Sequence, residues 1–174
     1  MVSNRRLESA RRVLVAHGSK MGGTEELARA VGEKLTTLGC TVTVADAAEA
    51  REAERYDAIV IGSSLYAGRW KGSCVRLLKH LAAECYQGPV WLFHSGPLGD
   101  EADVSQPLPR KVEHLAAQLD TRDVVTFGGR LEEHPSGFIA KAMAKDMAGD
   151  WRNWDHVSAW AVEIADELEH GRAA

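Results

Sequence analysis

The sequence predicts a doubly wound α/β domain on a five-stranded parallel sheet of order 2-1-3-4-5. Three observations carry that expectation. Short β-rich runs alternate with longer stretches in which apolar residues return every three or four positions. Three of the short runs are almost unbroken in apolar residues, the pattern of strands covered on both faces. Five strands also suit a chain of 174 residues better than the six of a dinucleotide-binding sheet.

The first strand is expected over Arg12–His17, a run with four consecutive apolar residues. Leu27, Ala28, Val31, Leu35 and Leu38 then share one helical face, closed by Gly39 as a C-cap. Thr41–Ala45 alternates more than the other strands, which suits an edge or near-edge place. Ala47 to Arg55 reads as a short helix or a loop. Ala58–Gly62 is the third strand. Val75, Leu78, Ala82 and Cys85 mark a second helix ending before Gly88 and Pro89, and Val90–His94 is the fourth strand. Val112, Leu115, Ala116 and Leu119 mark a third helix, and Val124–Phe127 the fifth strand. Val157, Ala161, Ile164, Ala165 and Leu168 mark the last helix. The order β-α-β-β-α-β-α-β-α is that of a doubly wound sheet.

Composition narrows the function. Twenty-one Lys and Arg against 25 Asp and Glu give a formal charge of -4, and no basic stripe offers a nucleic-acid footprint. No apolar run approaches the length of a membrane span. The arginine-bearing stretch from Met1 lacks the apolar core of a secretory signal, so residues 1–11 read as a flexible arm ahead of one domain over 12–170. Cys40, Cys74 and Cys85 are unevenly spaced with no CxxC, which favours a reduced, cytoplasmic protein. The histidines show no HxxxH or HExxH spacing, so no metal site is expected.

In such a sheet ligands lie outside the carboxyl ends of the strands, near the reversal of strand order. The loops there run from Gly18 to Thr24, from Ser63 to Trp70 and from Ser95 to Asp100. The first passes from a buried strand straight into a helix and holds Ser19, Gly22, Gly23 and Thr24. Helix N-terminal amides are unpaired, and small hydroxyl residues let an anion approach them. A plain βα turn with Ser or Thr as N-cap accounts for the same residues; the position and the double glycine favour a phosphate loop. GxGxxG is absent, and Gly23 stands where a Walker loop needs Lys. His17 and Gly18 stand where a phosphoacceptor domain needs acids. Asp46 reads as a strand-end turn residue, and Ser63-Ser64 lacks the GxSxG elbow of a hydrolase.

The run from Ser19 through Lys20, Met21, Gly22 and Gly23 to Thr24 resembles the flavodoxin phosphate loop, and the sheet order above is flavodoxin-like. The segment Ser63 to Trp70 is similar to that following strand 3 in flavodoxin-domain proteins of the menaquinone-dependent protoporphyrinogen oxidase type. Looser likenesses lie in Phe127 to Leu131 and in Gly149 to His156. The resemblance spans about Arg12 to Leu168 and implies an FMN-dependent oxidoreductase.

By that resemblance, Ser19, Lys20, Met21, Gly22, Gly23 and Thr24 hold the FMN phosphate. Ser63, Ser64 and Leu65, with Ala67 and Gly68, run beside the ribityl chain and ring edge. Tyr66 or Trp70 lies near the isoalloxazine, and His94, Ser95, Gly96 and Pro97 line the opposite loop. Met21 replaces a hydroxyl residue of the family loop. No aromatic follows strand 4, which implies a one-sided stack with the other ring face open to substrate.

Substrate is then expected near Trp70, His94 and the stretch from Arg130 to Met147. The apolar stripe Phe138, Ile139, Ala142, Met143 and Met147, with Lys141 and Lys145 beside it, reads as an extra packed helix. The alternative is a lid or docking helix for a porphyrin, a quinone or a membrane surface. Arg130 and Lys141 are candidates to meet substrate carboxylates. His17 and His94 end strands 1 and 4, as structural residues or as approaches to the flavin. Trp91 and Trp160 are assigned to the core, and Trp151 and Trp154 as packing anchors. The resemblance implies electron transfer from a hydrophobic substrate, through FMN, to a quinone or other carrier in haem biosynthesis. The alternatives are a non-enzymatic flavodoxin shuttle serving a redox partner protein and a cofactor-less interaction domain; a deazaflavin would share the same groove.

Overall fold

The computed structural model describes residues 10–102, 104–132 and 148–171. Five parallel strands form the sheet: β1 (Arg12–Gly18), β2 (Thr41–Asp46), β3 (Ala58–Ser64), β4 (Pro89–Ser95) and β5 (Asp120–Phe127). Their order is β2-β1-β3-β4-β5, as the sequence predicts. Among the described residues four helices cover it: α1 (Gly23–Thr37), α2 (Gly72–Ala83), α3 (Arg110–Ala116) and α4 (Trp154–His170). A two-stranded antiparallel ribbon, β6 (Arg130–Leu131) with β7 (Gly149–Asp150), follows β5.

Strand alternation divides the core in two. Leu14, Ala16, Ile59, Ile61 and Leu92 face α2 and α3, where they meet Cys74, Leu78, Leu81 and Val112. Val13, Val15, Val60, Trp91 and Phe93 face α1 and α4, where they meet Leu27, Val31, Trp160 and Ile164. Every residue from Val13 to Gly18 is buried. An unbroken apolar run is therefore the signature of a central strand, since each successive side chain enters one core or the other. β2 keeps only partial burial and stands at the edge.

Several local expectations are corrected. The buried face of α2 is Cys74, Leu77, Leu78 and Leu81, rotated from the expected stripe. Cys85 lies beyond the helix, exposed, with φ of 52°. Leu38 is exposed because α1 ends there, with Gly39 at φ 92° turning the chain away. The link after β2 is a turn and one short 3-10 segment at Ala53–Arg55. Asp46 does end its strand as a turn residue, its Oδ1 accepting from the Ala48 amide at 2.7 Å. Trp91 and Trp160 are buried in the core, whereas Trp154 is exposed, with the Arg152 guanidinium 4.6 Å from its ring centre. The stripe from Phe138 to Met147, with Lys141 and Lys145, and residues 1–9 of the arm expected over 1–11 lie outside the described residues. No described helix is long and apolar enough to cross a membrane.

Candidate functional site

A cleft of about 360 Å³ opens at the carboxyl edge of the sheet, within the usual range for a small-molecule site. It gathers residues from the loops after β1, β3 and β4 and from the turn after β5. Ser19, Lys20, Met21, Gly23, Thr24, Ser64, Leu65, Tyr66, Ala67, Ser95 and Gly96 all line it, together with Leu98, Gly129, Arg130 and Leu131. Sequence periodicity gives no access to the last group as cofactor neighbours. The glycine pair at 128–129 after a strand was the available signal.

The β1–α1 loop ends in Gly22, the N-cap of α1, at φ 83°. That left-handed conformation suits glycine and brings the loop around to the helix axis. No side chain caps the helix, so its first amides are not satisfied by Ser or Thr in the way an ordinary βα turn would be. Thr24, almost fully buried, hydrogen-bonds through its Oγ1 to Ser95 Oγ at 2.9 Å instead, tying α1 to the loop after β4. Ser19 Oγ is buried with no hydrogen-bond partner among the described residues. A buried hydroxyl left unpaired costs about 1–3 kcal/mol. Together with the uncapped amides it makes a set of unspent donors suited to an anion. Met21 lines the cleft and packs with Leu98 and Ala148 on Leu131.

The β3–α2 loop is held by its own hydroxyl. Ser63 is fully buried; its Oγ accepts from the Lys71 amide at 2.9 Å and donates to the Ser64 carbonyl at 3.1 Å. It therefore shapes the loop rather than lining the cleft. Tyr66 and Arg69 exchange backbone hydrogen bonds of 3.0 Å around Ala67 and Gly68, both at positive φ, in a tight reverse turn. Tyr66 stands at the cleft, with Lys20 Nζ 4.0 Å from its ring centre. The β3 and β4 loops touch through their backbones: the Leu65 amide donates to the Ser95 carbonyl at 2.7 Å. A Cβ on Gly96 would lie 2.5 Å from the Leu65 carbonyl oxygen, so this approach requires glycine.

Trp70 and His94 are not cleft residues. Trp70 is 7% exposed and donates its indole N–H to His94 Nδ1 at 3.2 Å. An indole can only donate, so Nδ1 is the acceptor and the proton sits on Nε2. Nε2–H then donates to Thr126 Oγ1 at 2.9 Å, which also accepts from the Gln106 amide. Burial holds the His94 pKa below its ordinary value, keeping it neutral. The tryptophan and histidine thus form a polar bolt inside the sheet edge, and Tyr66 is the aromatic group at the cleft. Gly22, Gly68 and Pro97 also stand outside the lining. Pro97 instead accepts the Gly129 amide at 2.8 Å. His17 is buried too, its pKa lowered chiefly by burial against the opposing fields of Glu25 and Asp46, and it does not reach the cleft.

Arg130 lies beside the N-terminus of α1. Its Nη1 pairs with Glu26 at 3.0 Å, while the other oxygen of Glu26 meets Arg152 at 2.7 Å. Arg152 is 4% exposed and also holds Asp150 at 2.6 Å. Among the described residues the cleft is lined by two cations, Lys20 and Arg130, and by no carboxylate. No described group of His, Cys, Asp or Glu could hold a metal ion.

Residues 14–150 match the sequence model of the flavodoxin domain. The chain belongs to the flavodoxin domain family. Solved flavodoxins share its architecture. One from the domain Archaea is 15% identical with a TM-score of 0.62, covering 91% of this chain and 99% of that one. A point variant of the Pseudomonas aeruginosa flavodoxin is 17% identical with a TM-score of 0.63 over the same shares. The rubredoxin oxygen:oxidoreductase of Desulfovibrio gigas is 16% identical with a TM-score of 0.63, covering 96% of this chain and 39% of that one. At these identities the likeness is one of fold. No curated protein sequence matches the chain. The flavodoxin membership gives no specific support to the protoporphyrinogen oxidase likeness.

Proposed function

We propose that this flavodoxin domain binds FMN and serves as an electron-transfer protein. The observation that carries the reading is the unspent donor set at the head of α1. Gly22 turns the loop, no side chain caps the helix, and Ser19 Oγ is buried without a partner. A phosphate monoester supplies the missing acceptors and the negative charge that a helix N-terminus favours. Ser19, Thr24 and the loop amides would hold that tail. Ser64 and Leu65 would flank the chain beyond it, and Tyr66 would offer its face to the ring. Bound FMN would supply the redox chemistry, with the protein setting its environment.

The test is a titration with FMN and riboflavin side by side. Tighter binding of FMN by tenfold or more is expected; equal affinity of the two overturns the phosphate loop. A shuttle is further expected to take up two electrons in separate steps in a reductive titration.

A second reading, a two-electron oxidoreductase of the protoporphyrinogen oxidase type, draws on two features of the cleft. These are its cationic lining and its apolar rim of Met21, Leu98 and Leu131. Anaerobic turnover of protoporphyrinogen with a menaquinone analogue would establish it. Absence of turnover by FMN-loaded protein leaves the shuttle.

A further inference from the structure

We propose that Arg130 is a charged arm of the anion site, pre-set by Glu26 to grip a phosphate ester dianion. The inference rests on the FMN reading above and adds to it a residue from a different element. Arg130 lies on β6, more than one hundred residues along the chain from the loop it serves.

Its placement is specific. Arg130 Nη2 lies 3.8 Å from where a Cβ on Gly22 would stand, and Arg130 Cβ lies equally close to the corresponding point on Gly23. The side chain thus runs along the turn that opens α1. The guanidinium has two edges with different duties. Nη1 is committed to Glu26, in the first turn of α1. Among the described residues Nη2 has only a long contact of 3.5 Å, to Glu132, whose carboxylate is more than half exposed.

Glu26 is itself fixed. Its second oxygen is taken by Arg152, whose nearly buried side chain is anchored by Asp150. One carboxylate therefore orients two guanidiniums and cannot follow Arg130 into solvent. A pre-oriented arginine loses less side-chain freedom on binding than a free one, and its planar donors suit phosphate oxygens. Ser19 Oγ, buried and unpaired, lines the same cleft as Arg130. No carboxylate is among the described lining residues, and the two that pair with Arg130, Glu26 and Glu132, stand outside the lining. A loop without Arg130 would discriminate a dianion through amides and hydroxyls alone; here a guanidinium edge is added, its other edge paired with Glu26.

The alternative duty for Arg130 is purely structural, a tie between the β5–β6 turn and α1. The test separates the two. FMN and riboflavin are titrated into the native protein, Arg130→Gln and Arg130→Lys, at low and high salt, with thermal melts of each apo-protein. The proposal expects Arg130→Gln to weaken FMN by roughly tenfold or more, leave riboflavin unchanged, and flatten the salt dependence of FMN binding. Arg130→Lys should recover part of the loss. Equal weakening of both flavins, or no weakening of either, overturns it. A parallel arm measures stabilisation of the apo-protein by inorganic phosphate. If flavins fail to bind but phosphate stabilises the native chain and not Arg130→Gln, the FMN reading falls while the anion arm stands. If FMN is preferred over riboflavin equally by both proteins, the arm falls and the FMN reading stands.

Discussion

Replacing Gly96 by alanine tests the geometry on which the cleft depends. The new Cβ would stand 2.5 Å from the carbonyl oxygen of Leu65 and 3.4 Å from its carbonyl carbon. The obstacle is backbone, so no side chain can swing aside. The loops after β3 and β4 must part by roughly 1 Å before ordinary contact is restored. That movement pulls on the 2.7 Å bond from the Leu65 amide to Ser95, and on the Thr24–Ser95 hydroxyl contact beyond it. Overpacking of this kind costs about 1–3 kcal/mol, and a weakened hydrogen bond about 1 kcal/mol. We expect a loss of about 2 kcal/mol, seen as a fall in melting temperature of roughly 4–8 °C for a domain of this size. FMN affinity should fall by tenfold or more, because the Tyr66 and Thr24 sides of the cleft are displaced together. Gly72→Ala is the control. Its Cβ meets only the flexible end of Arg76, at the start of α2, and no loss is expected. A Gly96→Ala protein that melts within 1 °C of the native one and binds FMN equally well would refute the reasoning.

Ser19→Ala should leave the apo-protein equally or slightly more stable, since it removes a buried hydroxyl without a partner, while weakening FMN by roughly tenfold. A melting temperature that falls with no change in affinity would contradict this. Trp70→Phe deprives buried His94 Nδ1 of its donor and should cost about 1–3 kcal/mol in a denaturant or thermal melt. Its flavin affinity should be near native, whereas Tyr66→Ala should weaken binding; the reverse ranking would return Trp70 to the ring. The pH dependence follows from His17 and His94, both shifted below their ordinary value of 6.5 in the folded protein. The unfolded chain takes up their protons first as pH falls, so the stability they contribute is complete above 6.5. It drains below that, towards the lowered folded values. Melts between pH 7.5 and 5.5 should show this decline, and His94→Gln, whose amide can satisfy both Trp70 and Thr126, should make it shallower.

Much of the fold was legible before any coordinates. Unbroken apolar runs at Val13–Ala16 and Ala58–Ile61 mark central strands because a doubly covered strand has no solvent face to declare. The alternating Thr41–Ala45 marks the edge for the opposite reason. Helix faces were read less accurately. In α2 the expected stripe included Cys85, which lies past the helix end, and missed Leu77 and Leu81. A short helix with several apolar residues admits more than one stripe. Which one is buried depends on how the helix sits on the sheet.

From the sequence alone came the five-stranded order and the glycine-rich loop at the head of α1. These follow from period, length and local backbone chemistry, which neighbouring residues settle among themselves. Tertiary structure decided the rest. Ser63, Trp70 and His94 stand in loops or strand ends that look like a site, yet their polar atoms are consumed by one another, by Lys71 and by Thr126. Ser19 stands in an equally ordinary loop and is left with a donor to spare. Arg130 reaches the cleft beside the first turn of α1 only because β6 returns alongside that helix. Hydrogen-bond saturation and charge pairing are properties of contacts between distant segments, so no local pattern could reveal which polar groups were already spent.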